Sequence, residues 1–256
     1  MPPGLGGAIS IPSATLLFWL ISPFALHAGV WDTRAALIFC AVGLLFPATV
    51  TLLSFEANRR MGPNTAGAVG NLAPLFAVLF AIVMLGEALH PLQAVGIAAI
   101  VVGVMMLSRP GRDSGRAWRI TALALPLIAA IIRGAIQPAI KAGLMYWPDP
   151  IVAVLMSYTV SSAMVTGMLL TRKQRGFTAR GVAWFAAVGF SNGFAVLAMY
   201  AALGRGAVTL VSPLVATYPL VTLALSHVFL RHEKVTGNLI AGVGATVIGI
   251  VLLLAA

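Results

Sequence analysis

The segment 125–147 places a permanent cation inside a stretch that is apolar and long enough to cross a bilayer. Arg133, Gln137 and Lys141 recur there at intervals of four residues, so they form one polar stripe along a helix. A guanidinium in lipid costs at least about 2.5–3.5 kcal/mol, so Arg133 is expected to face a cavity or a partner. We therefore interpret Arg133, with Gln137 beside it, as lining a central cavity that attracts a carboxylate or another anionic group.

Two further residues of this segment need an interpretation. Pro138 cannot donate a hydrogen bond to the carbonyl of Gly134, which predicts a kink and a free acceptor at this depth. Lys141 lies close to Tyr146 and Trp147, which are typical of a membrane interface. For Lys141 we favour a side chain that reaches the interface over a ligand role.

Polar residues in other apolar segments are weaker candidates for the same site. Proline frees backbone carbonyls at mid-depth, so Pro74 and Pro219 are predicted helix kinks that suit a binding site, although packing kinks are the alternative. The substrate-binding candidates beside these prolines and on neighbouring segments are Asn71, Tyr218, Asn192 and Tyr158. Asn192 lies within a GxxxG spacing, which more often indicates close helix packing.

Proton coupling needs an ionisable group inside the membrane, and the sequence offers few. Glu56 and His227 are the coupling candidates, because the aspartates fall in predicted loops. Glu56 has an alternative role, an ion pair at the interface with Arg59 or Arg60, which follow three and four residues later. Transport that is not coupled to proton movement is the other alternative.

The composition limits the class of protein. Of 256 residues, 60% are hydrophobic and 9% are charged, with a mean hydropathy of +1.01. Soluble domains carry far more charge, so this chain is expected to be an integral membrane protein. A transmembrane helix needs roughly 20 apolar residues, which leaves room for nine or ten helices and no soluble enzymatic domain. The net charge of +10 is therefore interpreted as loop charge, and no nucleic acid is expected.

Nine apolar segments are predicted as transmembrane helices: 9–28, 35–56, 64–86, 91–108, 120–144, 150–171, 181–203, 207–230 and 235–255. The loops after segments one and seven hold only Arg34 and Arg205, and those after three and five hold no Lys or Arg. The loops after even-numbered segments hold twelve basic residues: Arg59, Arg60, Arg109, Arg112, Arg116, Arg119, Arg172, Lys173, Arg175, Arg180, Arg231 and Lys234. This bias predicts cytoplasmic even-numbered loops and an external C-terminus.

The chain contains an internal repeat. The stretch 85–107 aligns with 231–253 at one constant offset, which pairs Glu87 with Glu233, Gly96 with Gly242 and Gly103 with Gly249. The copies lie five segments apart, so they cross the membrane in opposite directions, as in the inverted repeats of secondary transporters. We assign a first repeat to 1–110, with four helices, and a second to 118–256, with five. On this count the first repeat is expected to lack its opening helix.

The residues that carry this repeat resemble a known family. The segments "NLAPLFAVLFAIVMLGEALHPLQAVGIAAIVVGVMML" and "SPLVATYPLVTLALSHVFLRHEKVTGNLIAGVGATVIGIVLL" are similar to the two signature segments of the EamA family of the drug/metabolite transporter superfamily. The second segment departs from the pattern, with His232 before Glu233 and one extra residue after Pro219. The resemblance implies ten helices in two inverted halves, transport of small metabolites and a C-terminus that is commonly cytoplasmic.

We therefore expect an all-α, multi-pass protein of the cell (inner or plasma) membrane. It would move a small polar metabolite, such as an amino acid or organic acid, by alternating access. We expect no cofactor and no metal, and the paired glycines leave packing between two subunits of a homodimer open. The alternatives are a truncated fragment that does not transport and a lipid-modifying membrane enzyme. The enzyme is disfavoured because the histidines are dispersed and the sequence has no HExxH motif.

Overall fold

The computed structural model describes residues 3–25, 31–107, 120–171, 178–221, 224–225 and 237–255. Within these ranges all regular secondary structure is helical, and no strand occurs. Each of the nine predicted apolar segments contains helix, which confirms the predicted all-α fold and the approximate number of membrane passes.

We number the helices in chain order, with α11 for the described helical residues 218–221 and 224–225. The others are α1 (Pro3–Ala25), α2 (Thr33–Leu45), α3 (Ala48–Met61), α4 (Pro63–Gly70), α5 (Ala73–Leu85), α6 (Pro91–Leu107), α7 (Ala124–Tyr146), α8 (Pro150–Thr171), α9 (Ala179–Arg205), α10 (Val208–Val215) and α12 (Gly237–Leu254). A 3-10 turn, Ile120–Leu123, leads into α7.

The lengths of these helices fit a membrane protein that crosses the bilayer several times. Five stretches of described helix are long and apolar enough to span it: Leu5–Phe24, Thr33–Met61, Ala124–Tyr146, Pro150–Leu170 and Ala179–Arg205. Shorter apolar helices cover Ala73–Leu85, Pro91–Met106, Val208–Val221 and Ile240–Leu254.

Three predicted segments are interrupted; kinks were predicted beside Pro74 and Pro219, whereas none was predicted in the segment 35–56. The breaks fall at residues 46–47, between α2 and α3, at 71–72, between α4 and α5, and at 216–217, between α10 and α11. A proline lies at or just after each break, because proline lacks an N–H and fits the first turn of a new helix. The second and third breaks occupy corresponding places in the two repeats, beside Pro74 and Pro219. α7, in contrast, continues as one helix through Pro138.

The chain forms two compact units that do not coincide with the two repeats. The first unit comprises Met1–Phe55 and Ile136–Gly206, and the second comprises Glu56–Ala135 and Ala207–Ala256. Each unit therefore takes helices from both repeats, and α3 and α7 each contribute to both.

In the first unit, α1 packs on α8 and α9, and α2 packs on α8. The backbones approach closely at Gly43, where an added Cβ would lie 2.5 Å from the carbonyl oxygen of Ser157. The Ser157 hydroxyl donates to the carbonyl of Phe39 at 3.0 Å, and Ser161 donates to the carbonyl of Gly43. Ser161 also accepts from the backbone N–H of Ala48 at 3.4 Å, so this side chain satisfies a donor at the break before α3.

In the second unit, α6 packs on α12 through the glycines of the repeat. A Cβ on Gly96 would lie 2.8 Å from the carbonyl oxygen of Gly249, and one on Gly103 would lie 2.7 Å from that of Gly242. Because the residue number rises along one helix as it falls along the other, α6 and α12 are antiparallel. This geometry confirms the inverted repeat. These glycines pack against each other within one chain.

Within each unit, contacts join the ends of membrane segments that the predicted order of loops places on the same side of the membrane. Trp31, before segment two, stacks edge-on against Trp147, after segment five, with ring centroids 5.4 Å apart. Glu87, after segment three, contacts Val208, at the start of segment eight. All of these belong to odd-numbered loops, as an alternating series of membrane crossings requires.

Candidate functional site

Two residues from the corresponding helix breaks meet in the second unit. Asn71 ends α4 and is buried, with 5% of its surface exposed. Tyr218 begins α11, and its hydroxyl donates to the Asn71 side-chain oxygen at 3.2 Å. The two predicted candidates therefore form one polar pair, which bonds the break of the first repeat to the break of the second.

Arg133 belongs to the same part of the molecule. It is partly buried on α7, and its guanidinium lies close enough to Tyr218 for an electrostatic interaction. Arg133 lies nine residues after the first residue of α7, about 14 Å along the axis, and thirteen residues before the last. Arg133 therefore lies near the middle of a helix that is long enough to cross a hydrocarbon core of about 30 Å.

Gly134 explains how Arg133 approaches the break. A Cβ at this position would lie 2.5 Å from the Cβ of Phe76 and 2.8 Å from the backbone nitrogen of Ala77. The α7 backbone therefore touches the first turns of α5 directly, and the preceding residue, Arg133, is held near the level where α5 begins.

The other three binding candidates belong to the first unit. The Asn192 amide donates to the Tyr158 hydroxyl at 3.0 Å, and the Tyr158 ring packs edge-on against Phe18 with centroids 5.1 Å apart. Tyr158 is fully buried, whereas Asn192 is exposed. Gln137 is buried on the second half of α7. Gly193 lies against Ala14 and Phe18, so the GxxxG spacing serves helix packing, as favoured.

Lys141 has a different role from the one favoured from sequence. Its ammonium donates to the carbonyl of Gly206, which ends α9, at 2.6 Å. A cation at this position satisfies a backbone acceptor and offsets the negative end of the helix dipole. Lys141 therefore caps a helix, rather than only reaching toward the interface.

Of the two coupling candidates, the structure describes one. Glu56 accepts hydrogen bonds from Arg59 at 2.7 Å and from Arg60 at 2.6 Å, and both arginines are more than half exposed. This arrangement is the interfacial ion pair that was the alternative to a coupling role. His227 lies outside the described residues.

Glu87 has a precise structural role that the sequence did not assign. Its carboxylate accepts from the backbone N–H of Val208 at 2.8 Å and from that of Thr209 at 2.9 Å. These are the first two residues of α10, whose N–H groups have no partner within their own helix. From the sequence, Glu87 was placed only at the end of a helix. The available signal for a turn toward another helix was its position directly after a glycine, Gly86, which adopts the left-handed conformation with φ of +65°.

The remaining described carboxylates also serve helix ends. Asp32 accepts from the N–H of Ala35 at the start of α2, and Asp149 accepts from that of Ile151 at the start of α8, both at 2.8 Å. Across the described ranges, no group of three metal-ligating side chains occurs.

Broken helices in antiparallel repeats, with polar groups at the breaks, define a multi-pass membrane protein of the inverted-repeat type. A family model for the EamA-like transporter family matches residues 4–109 and 120–255. The chain belongs to the EamA-like transporter family, which confirms the resemblance seen in the sequence.

Comparison with solved structures gives the same fold. One crystal structure of a protein superposes with a TM-score of 0.78 at 20% sequence identity, over 99% of this chain and 89% of that chain. A likeness at this identity shows the fold alone. The search of curated proteins found no match.

Proposed function

We propose that this protein is a secondary transporter of the cell membrane that moves small polar metabolites bearing an anionic group by alternating access. The observation that carries the proposal is the hydrogen bond between Tyr218 and Asn71, which joins the two helix breaks of the second unit, with Arg133 of α7 on the same side as Tyr218. We refer to these three residues as the cluster. In inverted-repeat transporters, substrate sites lie near the bilayer midplane beside discontinuous helices.

The chemistry of this cluster suits a carboxylate. The Arg133 guanidinium offers a planar set of donors that matches two carboxylate oxygens. Tyr218 and Asn71 add a hydroxyl and an amide, which can orient the rest of a small polar molecule. Each half-helix that starts at a break, α5 or α11, directs the positive end of its dipole toward the break, which favours a negative group. The cluster therefore favours organic acids and amino acids over cations.

Uptake into proteoliposomes tests this proposal. We would measure labelled succinate, lactate, glutamate and alanine for the wild type, Arg133→Gln and Arg133→Lys. Loss of a hydrogen bond to a charged group costs about 1.5–3 kcal/mol, so Arg133→Gln should lower kcat/KM for the transported acids roughly tenfold to a hundredfold. Arg133→Lys keeps the charge but not the two-pronged geometry, so its loss should be smaller.

Lys141→Gln is the matched control, because it removes a cation from the same helix. Lys141 is bonded to the carbonyl of Gly206, so its replacement should lower stability without changing the order of preference among the four compounds. If Arg133→Gln transports all four compounds at the wild-type rate, the anionic site at Arg133 is refuted.

A further inference from the structure

α5 and α10 run antiparallel and are joined at both ends by polar contacts. At one end, Asn71, just before α5, accepts from Tyr218, just after α10. At the other end, Glu87, just after α5, accepts from the first residues of α10. The first contact belongs to the candidate site, and the second joins the same two helices at the side of the odd-numbered loops.

The contact at Glu87 is made entirely by one side chain. Ala207 precedes α10 and makes no side-chain cap, so the carboxylate of Glu87 takes the place of a local cap. A carboxylate is favourable at this point because it meets the positive end of the α10 dipole. Gly86 lets the chain leave α5 toward α10, because its positive φ is accessible to glycine without strain.

This contact also lies at a junction of the chain, which passes from the first unit to the second between Gly206 and Ala207. Lys141 holds the carbonyl of Gly206 in the first unit, and Glu87 holds the N–H of Val208 in the second. Gly206 is therefore bonded to a charged side chain of the first unit, and Val208 to a charged side chain of the second.

We propose that Glu87 is a latch that closes one end of the substrate path and must release α10 for substrate to reach Tyr218 and Asn71 from that side. The inference rests on the proposed transport function. It differs from a plain helix cap because release of the latch changes access to the α10–α11 break, whereas loss of a cap elsewhere changes stability alone.

Thiol labelling at the break tests the latch without reference to any substrate. In a Cys40→Ser background, Thr217→Cys places one thiol at the α10–α11 turn, and a membrane-impermeant maleimide is applied from either side of the membrane. Glu87→Ala should raise the labelling rate about tenfold, roughly the effect of one hydrogen bond to a charged group, and only from the side of the odd-numbered loops. Glu87→Gln, which keeps one acceptor oxygen, should give a smaller increase.

Asp149→Ala is the matched control, because Asp149 also caps a helix start with a carboxylate, in the first unit. Its replacement should leave the labelling of Thr217→Cys unchanged. An unchanged rate in Glu87→Ala, or an equal rise in Asp149→Ala, overturns the latch.

A cross-link keeps Glu87 intact and tests whether the contact must open. Ala88→Cys and Ala207→Cys flank it and can be joined by a short bifunctional methanethiosulfonate reagent. The cross-linked protein should lose uptake of the four compounds used above, and dithiothreitol should restore it, whereas each single variant should be insensitive. Uptake that survives cross-linking refutes the latch but not the transporter. A wild type that transports nothing refutes the proposed function, while the labelling result still decides the latch.

Discussion

Replacement of Gly134 by alanine is the most direct test of how α7 places its cation. The added Cβ would lie 2.5 Å from the Cβ of Phe76, whereas carbon atoms in contact lie about 3.5–4.0 Å apart. α7 and α5 must therefore separate by about 1 Å or more. Part of the obstruction is the α5 backbone, at Ala77, so a change of side-chain rotamer cannot relieve it.

Overpacking of this kind costs about 1–3 kcal/mol. We expect Gly134→Ala to lower the thermal stability of the purified protein by several degrees and to lower kcat/KM for acid uptake, because Arg133 moves with the helix away from Tyr218. The two measurements are thermal unfolding in detergent and uptake into proteoliposomes.

Gly167→Ala is the control, because Gly167 also lies within a helix, α8, but has no neighbouring atom within 4 Å of an added Cβ. This variant should be neutral or more stable by up to about 1 kcal/mol, since alanine is the better helix former. If Gly134→Ala is as stable and as active as Gly167→Ala, the close approach of α7 to α5 is not what positions Arg133.

Four further outcomes follow from the contacts. Gly103→Leu should prevent α6 from packing on α12 and abolish the folded protein in size-exclusion chromatography, because backbone atoms of α12 occupy the space. Ser161→Ala should cost about 1–3 kcal/mol in thermal unfolding, since it leaves a buried backbone group unpaired at the break before α3. Lys141→Ala should cost up to about 2 kcal/mol by the same measurement. Glu56→Gln should leave any dependence of uptake on a pH gradient unchanged, and a loss of that dependence would restore the coupling role of Glu56.

The sequence predicted those features that leave a pattern within one stretch of chain. The inverted repeat was predictable because direct contact of two backbones requires glycine, and Gly96, Gly103, Gly242 and Gly249 recur at one offset. The sequence could single out Arg133 as a candidate because a guanidinium in hydrocarbon is costly wherever it lies.

Contacts between a side chain and a distant backbone were not predictable. Glu87 bonds N–H groups more than 120 residues away, and every residue except proline carries the same N–H group, so nothing in the sequence identifies the partner. The same holds for Lys141 and the carbonyl of Gly206. The break before α3 did have a signal in the sequence, Pro47. It was missed because the residues on both sides of Pro47 are apolar, so the segment was interpreted as one helix.

The close packing of α6 on α12 limits how the second unit can move. At Gly96 and at Gly103 the main chain of α6 lies directly against the main chain of α12, so the two helices cannot slide past one another or separate without losing these contacts. α6 and α12 therefore form one rigid helix pair. We therefore expect movement within the second unit to involve its short half-helices, which are already divided at the two breaks.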